Sequence, residues 1–419
     1  MKNKLLHTPE GVRDIYNEEC ERKQIVLNNM QSVLSMYGFK NIQTPMFEFY
    51  DIFKEERGSV KSKEMFKFFD HEGNTLVLRP DITPSIARCV AKYYKNEEFP
   101  IRLSYTGEAF INNNSYQGRL KEYTQLGAEL INDEKSDADA EMIAICIDCL
   151  LKAGLKEFQI EVGQVDFFNG LMEETGFDED EIQEFKIFVE NKNMFGASQL
   201  LSTKNIDSDL KEKILELPNL FGSYEILEYA KKLTDNKTAL AAIERLEKVY
   251  HILDTYGFSK YISFDLGMLS RYSYYTGIIF KAYTYDTGEP VASGGRYDKL
   301  LTQFGKDSSA IGLVIMVDQL IIAMSRQKIE IELQKTGTLV LYLTEYRKQA
   351  IELANHFRNE GLNVELLRKS SRRTISEYIE FAKRKNVGEM LFFNEIDSVE
   401  NYNLVTGESK KNSIRECME

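Results

Sequence analysis

Residues 101 to 131, IRLSYTGEAFINNNSYQGRLKEYTQLGAELI, alternate apolar and polar side chains on either side of a polar loop. A period of two over such lengths commits the segment to two strands, the first running through Tyr105, the loop from Asn112 to Gln117, and the second from Leu120 to Ile131. On the second strand Gln125 and Glu129 are four residues apart and so share a face. Upstream, LVLRPDITPSIAR places Asp81 and Thr83 in an i, i+2 relation just ahead of a helix. Carboxylates and an amide that converge suit a ligand carrying an ammonium group and a ring N–H. The same residue types are also ordinary on an exposed surface, so spacing alone leaves both readings open. The loop residues Ile111, Asn112 and Asn113 carry no charge, which fits binding better than phosphate chemistry.

With 419 residues, two or three domains are expected, and an apolar fraction of 43% is enough for a proper core. No apolar run is long enough to cross a membrane and no charged-then-apolar leader opens the chain, so a soluble, cytoplasmic protein without a membrane partner is the expectation. Five scattered cysteines fit a reducing compartment. Cys146 and Cys149 form a C-x-x-C, but inside AEMIAICIDCLLKAG they read as buried helix cysteines. His7, His71, His251 and His356 lie in separate segments without ligand spacing, so neither a metal nor a cofactor is expected. The net charge of −13 argues against general affinity for nucleic acid.

The organisation is legible in outline. Residues 17 to 38 read as a charged amphipathic helix. In FKNIQTPMFEFYDIF, Pro45 suits an edge or interface strand. Strands and helices alternate from about 50 to 165, with a helix at 137 to 154 capped by Ser136 and Asp137. Residues 168 to 255 turn helical and acidic, as an insertion would. TGIIFKAYTYDTGEPVASGGRYDKLL reads as a hairpin turning at Asp286-Thr287-Gly288. Tyr274 and Tyr275 are expected at a strand start with one ring on each face. A charged stretch from Arg326 to Thr336 reads as a linker into a βαβαβ unit with a parallel sheet. Ser293-Gly294-Gly295-Arg296-Tyr297 lacks the Lys-Ser/Thr pair of a phosphate loop and reads as a tight approach of backbone to a small ligand.

TPEGVRD (8 to 14), LRPDIT (78 to 83), GRLKEYTQLGAE (118 to 129), SYYTG (273 to 277) and SGGRYD (293 to 298) resemble, in order, the histidyl-tRNA synthetase core over about the first 325 residues. The resemblance implies an α+β fold: a class II aminoacyl-tRNA synthetase-like antiparallel sheet flanked by helices in 1–325, with the helical insertion at about 168–255, and a small C-terminal α/β domain in 335–419. It also implies dimerisation through the first helix and the proline-containing strand. The histidine-binding positions carry over as Asp81, Thr83, Arg119, Gln125, Glu129, Tyr274, Tyr275 and Tyr297.

Six positions depart from the synthetase pattern, among them Asp81, a glutamate in the synthetases. The arginine after the motif 2 phenylalanine is Ile111, the following glutamate is Asn113, the histidine-specific arginine is Ser270, and the motif 3 arginine is Gln319, with Met316 in place of a nearby glycine. Adenylate formation needs fixed cations against developing negative charge, and these side chains supply none. Losing one such donor typically costs about 2.7 to 4 kcal/mol of transition-state stabilisation.

The combination resembles the synthetase paralogues that act as regulatory subunits of ATP phosphoribosyltransferase. It implies a non-catalytic chain that joins the short-form catalytic subunit in a hetero-octamer of histidine biosynthesis, activates it, and takes part in feedback inhibition by histidine. Many such paralogues stop near residue 325. The extra unit here resembles in position the synthetase anticodon-binding domain, and its basic run from Arg368 to Lys385 reads as a solvated helix face. An active histidyl-tRNA synthetase and a stand-alone amino-acid-sensing or RNA-binding protein are the alternatives.

Overall fold

The computed structural model describes residues 4–54, 60–113, 120–191, 193–204, 206–268, 274–335 and 337–418. They form two compact units, Met1–Ile331 and Glu332–Glu419. In the first unit the strands are β1 (Lys40–Asn41), β2 (Phe47–Phe49), β3 (Lys67–Phe69), β4 (Thr75–Leu78), β5 (Ile101–Phe110), β6 (Glu122–Ile131), β7 (Phe158–Gln164), β8 (Phe221–Gly222), β9 (Ile262–Asp265), β10 (Ile278–Thr284), β11 (Ala292–Arg296) and β12 (Ala310–Met316). Its helices are α1 (Asn17–Met36), α2 (Thr83–Tyr93), α3 (Ser136–Ala153), α4 (Val165–Glu173), α5 (Glu179–Glu190), α6 (Met194–Leu201), α7 (Ser208–Leu215), α8 (Glu225–Lys231), α9 (Lys237–Thr255) and α10 (Val317–Arg326).

Nine strands form one sheet in the order β1-β5-β6-β12-β11-β10-β7-β9-β8, antiparallel throughout its centre from β5 to β7. The opening alternation of the 101–131 segment becomes the β5–β6 pair, with Ile101 opposite Ile131 and Phe110 opposite Glu122. Alternation along β6 then divides the molecule. Leu126, Ala128 and Leu130 enter the apolar layer made with α1, α3 and α9, while Gln125 and Glu129 face the other way. Helix α3 is apolar nearly all round and carries Cys146 and Cys149 fully buried, where burial pushes both thiols up, Cys146 to about 12. Its C-terminus is closed by Gly154 at φ 109°, a left-handed turn that glycine adopts freely. The N-terminus differs from expectation. Helical geometry begins at Ser136, so Lys135 is the cap residue and gives no side-chain bond.

Lys23 of α1 meets Asp318 at 2.8 Å and Thr124 Oγ1 at 2.6 Å, and Asp318 also accepts the Thr124 backbone N–H at 2.7 Å. One buried ion pair thereby ties α1 and α10 to the end of β6. A separate sheet, β2-β4-β3, follows the Pro45 segment, and it leaves Phe47, Phe49 and Phe68 exposed. The described residues of 165–255 form α4 to α9, joined by turns and short 3-10 segments, with the two-residue β8 among them.

The second unit contains β13 (Thr338–Tyr342), α11 (Arg347–Asn359), β14 (Val364–Arg368), α12 (Ile375–Arg384), β15 (Glu389–Phe393), β16 (Ser398–Asn403), β17 (Ser409–Ser413) and α13 (Ile414–Met418). Its parallel core β14-β13-β15 has the expected βαβαβ connection, but β16 and β17 extend the sheet antiparallel. These two strands were not foreseen because SVENYN and SKKNS are polar and half exposed, without an apolar alternation to mark them.

Candidate functional site

The pocket is assembled from the face of the sheet opposite α3. Gln125 and Glu129 project from β6, and Asp81 and Thr83 come from the turn that opens α2. Tyr274 and Tyr275 precede β10, and Tyr297 follows β11. All seven line one tight, partly open pocket, with Ser293, Gly294, Gly295, Gly312, Leu313 and Val314 as its floor. Arg119 and Ser270 lie outside the described residues. Both tyrosines of the Tyr274-Tyr275 pair reach this cavity, contrary to the alternation expected of them, because β10 begins only at Ile278 and the pair sits in the preceding turn.

Two carboxylates define the chemistry. Glu129, 1% exposed, accepts a hydrogen bond from Thr83 Oγ1 at 2.7 Å on one oxygen and from the Tyr297 hydroxyl on the other. Burial pushes its carboxyl up to about 8, because the two hydroxyl donors only partly offset desolvation and nearby Asp81 adds to it. Burial also pushes the Tyr297 and Tyr105 phenols well above their ordinary range. Asp81 accepts the Ile82 backbone N–H at 2.7 Å and the Tyr274 hydroxyl at 3.1 Å. Gln125 is 3% exposed and its Oε1 has no hydrogen-bond partner, which leaves a buried, unsatisfied acceptor on a residue that lines the pocket.

The floor explains the glycines. Gly312 lies opposite Glu129 in the β6–β12 ladder, and a Cβ there would stand 1.9 Å from Glu129 Oε2. Gly295 gives the same clearance to the Tyr275 ring, 2.9 Å from where its Cβ would be. Gly312 was not singled out from sequence, since its role exists only in the register of two strands far apart in the chain.

At the remaining positions the structure places neutral groups. Ile111 follows β5, half buried, with its N–H on the Lys121 carbonyl at 2.9 Å. Asn113 is half buried, and Gln319 lies half buried in the first turn of α10. In the second unit, Arg372, Arg373, Lys383 and Arg384 are exposed, and Lys385 pairs with Glu365, as a solvated face would have it.

Residues 11–320 match the family model described as histidyl-tRNA synthetase. An ATP phosphoribosyltransferase regulatory subunit from Acetivibrio thermocellus is 41% identical over 414 residues, covering 99% of this chain and 98% of that protein. The chain belongs to the family of ATP phosphoribosyltransferase regulatory subunits. A solved structure described as an ATP phosphoribosyltransferase regulatory subunit/histidyl-tRNA synthetase from Bacillus halodurans matches with a TM-score of 0.82 at 32% identity, over 93% of this chain and 98% of that one. A Nostoc histidyl-tRNA synthetase shares the fold, with a TM-score of 0.80 at 19% identity over 98% of each chain. The family's architecture is thus the class II synthetase-like one, α+β, with mixed sheets flanked by helices.

Proposed function

We propose that this chain is a non-catalytic regulatory subunit that joins the short-form catalytic chain of ATP phosphoribosyltransferase, activates it, and carries the histidine site through which feedback inhibition acts. The observation that carries the reading is the preserved amino-acid pocket beside missing cations. Asp81, Thr83, Gln125, Glu129 and the three tyrosines converge on one cavity, while Ile111 and Gln319 stand where adenylate chemistry needs guanidinium groups. In this reading the ligand's ammonium group and imidazole N–H are met by the carboxylates, and Gln125 Oε1 gains the donor it lacks. Arg119 and Ser270 belong to the same proposal.

Histidine regulates only if it binds the active and inhibited assemblies with different affinity. A partner is needed because the chain's own site lacks the cations for phosphate chemistry, and the names of its relatives supply the partner's identity. The exposed Phe47, Phe49 and Phe68 support self-association, so that copies of this chain and the catalytic chain build a hetero-octamer. Calorimetric titration with histidine tests the pocket, and co-purification with the short-form phosphoribosyltransferase tests the assembly. Histidine-dependent pyrophosphate exchange by the purified chain would overturn the non-catalytic reading in favour of an active synthetase.

A further inference from the structure

The pocket is braced from behind by a buried ion network that reaches the helical insertion. Arg296 is the last residue of β11, and the adjacent Tyr297 carries the hydroxyl that holds Glu129. In extended backbone the two side chains point to opposite sides, so Arg296 enters the layer under the sheet. There its Nε and Nη2 both donate to Asp139 Oδ1, at 2.8 and 2.6 Å, and its Nη1 donates to the Asp133 carbonyl at 2.9 Å. Asp139, on α3, is fully buried, and its other oxygen accepts from Arg245 Nε of α9 at 2.7 Å. Arg245 is itself fixed by a 2.6 Å bond from Nη2 to the Glu134 carbonyl.

The two oxygens of Asp139 are thus divided between a guanidinium under the pocket and one on the insertion. Arg296 grips a single oxygen, so the plane of the carboxylate is set by what holds the other. We propose that Arg245 is a positioning residue for the ligand pocket: through Asp139 it fixes Arg296, and with it the ring of Tyr297 against Glu129. Without Arg245, Oδ2 loses its guanidinium partner, the carboxylate turns, and Tyr297 loses its register on a carboxylate whose ligand geometry depends on tenths of an ångström. The inference rests on the reading of the cavity as a histidine site.

Arg245 is the member to vary, because its side chain is 27% exposed and its removal leaves the buried Asp139 still charge-paired with Arg296, though no longer held in its plane. Calorimetry on the full chain compares the parent with Arg245→Met, Arg245→Lys, Tyr297→Phe and the double variant Arg245→Met/Tyr297→Phe. Arg245→Met weakens histidine binding about 3- to 10-fold. Arg245→Lys restores part of it. In the Tyr297→Phe background, Arg245→Met has no further effect, because the hydroxyl through which it acts is absent. Unchanged affinity in Arg245→Met, or the same fold loss in both backgrounds, overturns the proposal. If the parent itself binds no histidine, the pocket reading fails and a second measurement decides this one. With 3-fluorotyrosine at position 297, Arg245→Met shifts or broadens the fluorine resonance, and an unchanged resonance overturns the positioning role.

Discussion

Glu129 is the residue at which the physics of the pocket is sharpest, because its carboxyl is raised from the ordinary 4.5 to about 8. The folded chain therefore keeps a proton that the unfolded chain releases above pH 4.5. Stability falls as pH climbs from there toward 8, and the cost is complete above 8. Glu129→Gln removes that slope. The variant should resist urea better than the parent at pH 9, by at most about 5 kcal/mol, with the difference vanishing near pH 4.5. The same substitution should abolish measurable histidine binding, since the cationic ligand displaces the Glu129 proton and holds the carboxylate that an amide cannot supply. Parallel denaturation series at the two pH values, with a histidine titration of each protein, read both outcomes. Gly312→Ala acts on the same group sterically. A methyl 1.9 Å from Glu129 Oε2 must drive the carboxylate into the cavity, costing about 1 to 3 kcal/mol of stability and most of the histidine affinity. A crystal structure or a thermal-shift series with histidine checks it. Gln125 and Glu129 were legible from sequence because a strand puts i and i+4 on one face. Thr83, 46 residues from Glu129, was read beside them from its own spacing, but Tyr297, 168 residues away, entered the site only through the resemblance.

At the scale of elements, what the sequence showed depended on period. The β5–β6 pair, α3 and the hairpin through Asp286 carry long, regular patterns, and each lies within a few residues of its expected place. The polar strands β16 and β17, and the turn that holds Tyr274 and Tyr275, lack such a pattern because hydrogen bonding and tertiary packing form them. The Pro45 segment follows the same logic at an edge. Its proline precedes a three-residue strand whose neighbours leave Phe47, Phe49 and Phe68 on an exposed face. If that face joins two copies, Phe49→Glu should convert the purified chain to a smaller species in analytical ultracentrifugation while leaving its melting temperature within a few degrees. The α1–α10 tie is independent of this surface. Lys23→Met leaves Asp318 buried beside the Thr124 N–H without a cation, and should cost about 3 kcal/mol in a denaturant titration.

At the scale of the molecule, every residue lining the cavity belongs to the first unit, and so do α3, α9 and the Asp139 network behind it. The second unit has its own apolar clusters on the two faces of its sheet, one around Leu339, Met390 and Phe392 and the other around Val340, Leu391 and Phe393. A unit with its own core holds its fold without borrowing contacts. The ligand chemistry and the terminal unit are therefore separable. A chain ending at residue 331 should bind histidine within about 2-fold of the full chain, because no group in the pocket or its support is removed, and such a difference is under 0.5 kcal/mol. Residues 332–419 alone should show a cooperative thermal transition by circular dichroism. If truncation instead abolished histidine binding while the remaining chain stayed folded, the terminal unit would have to contribute to the site, and the pocket would be incomplete as drawn. If binding persists but feedback inhibition of the assembled phosphoribosyltransferase is lost, the terminal unit transmits the signal that the first unit receives.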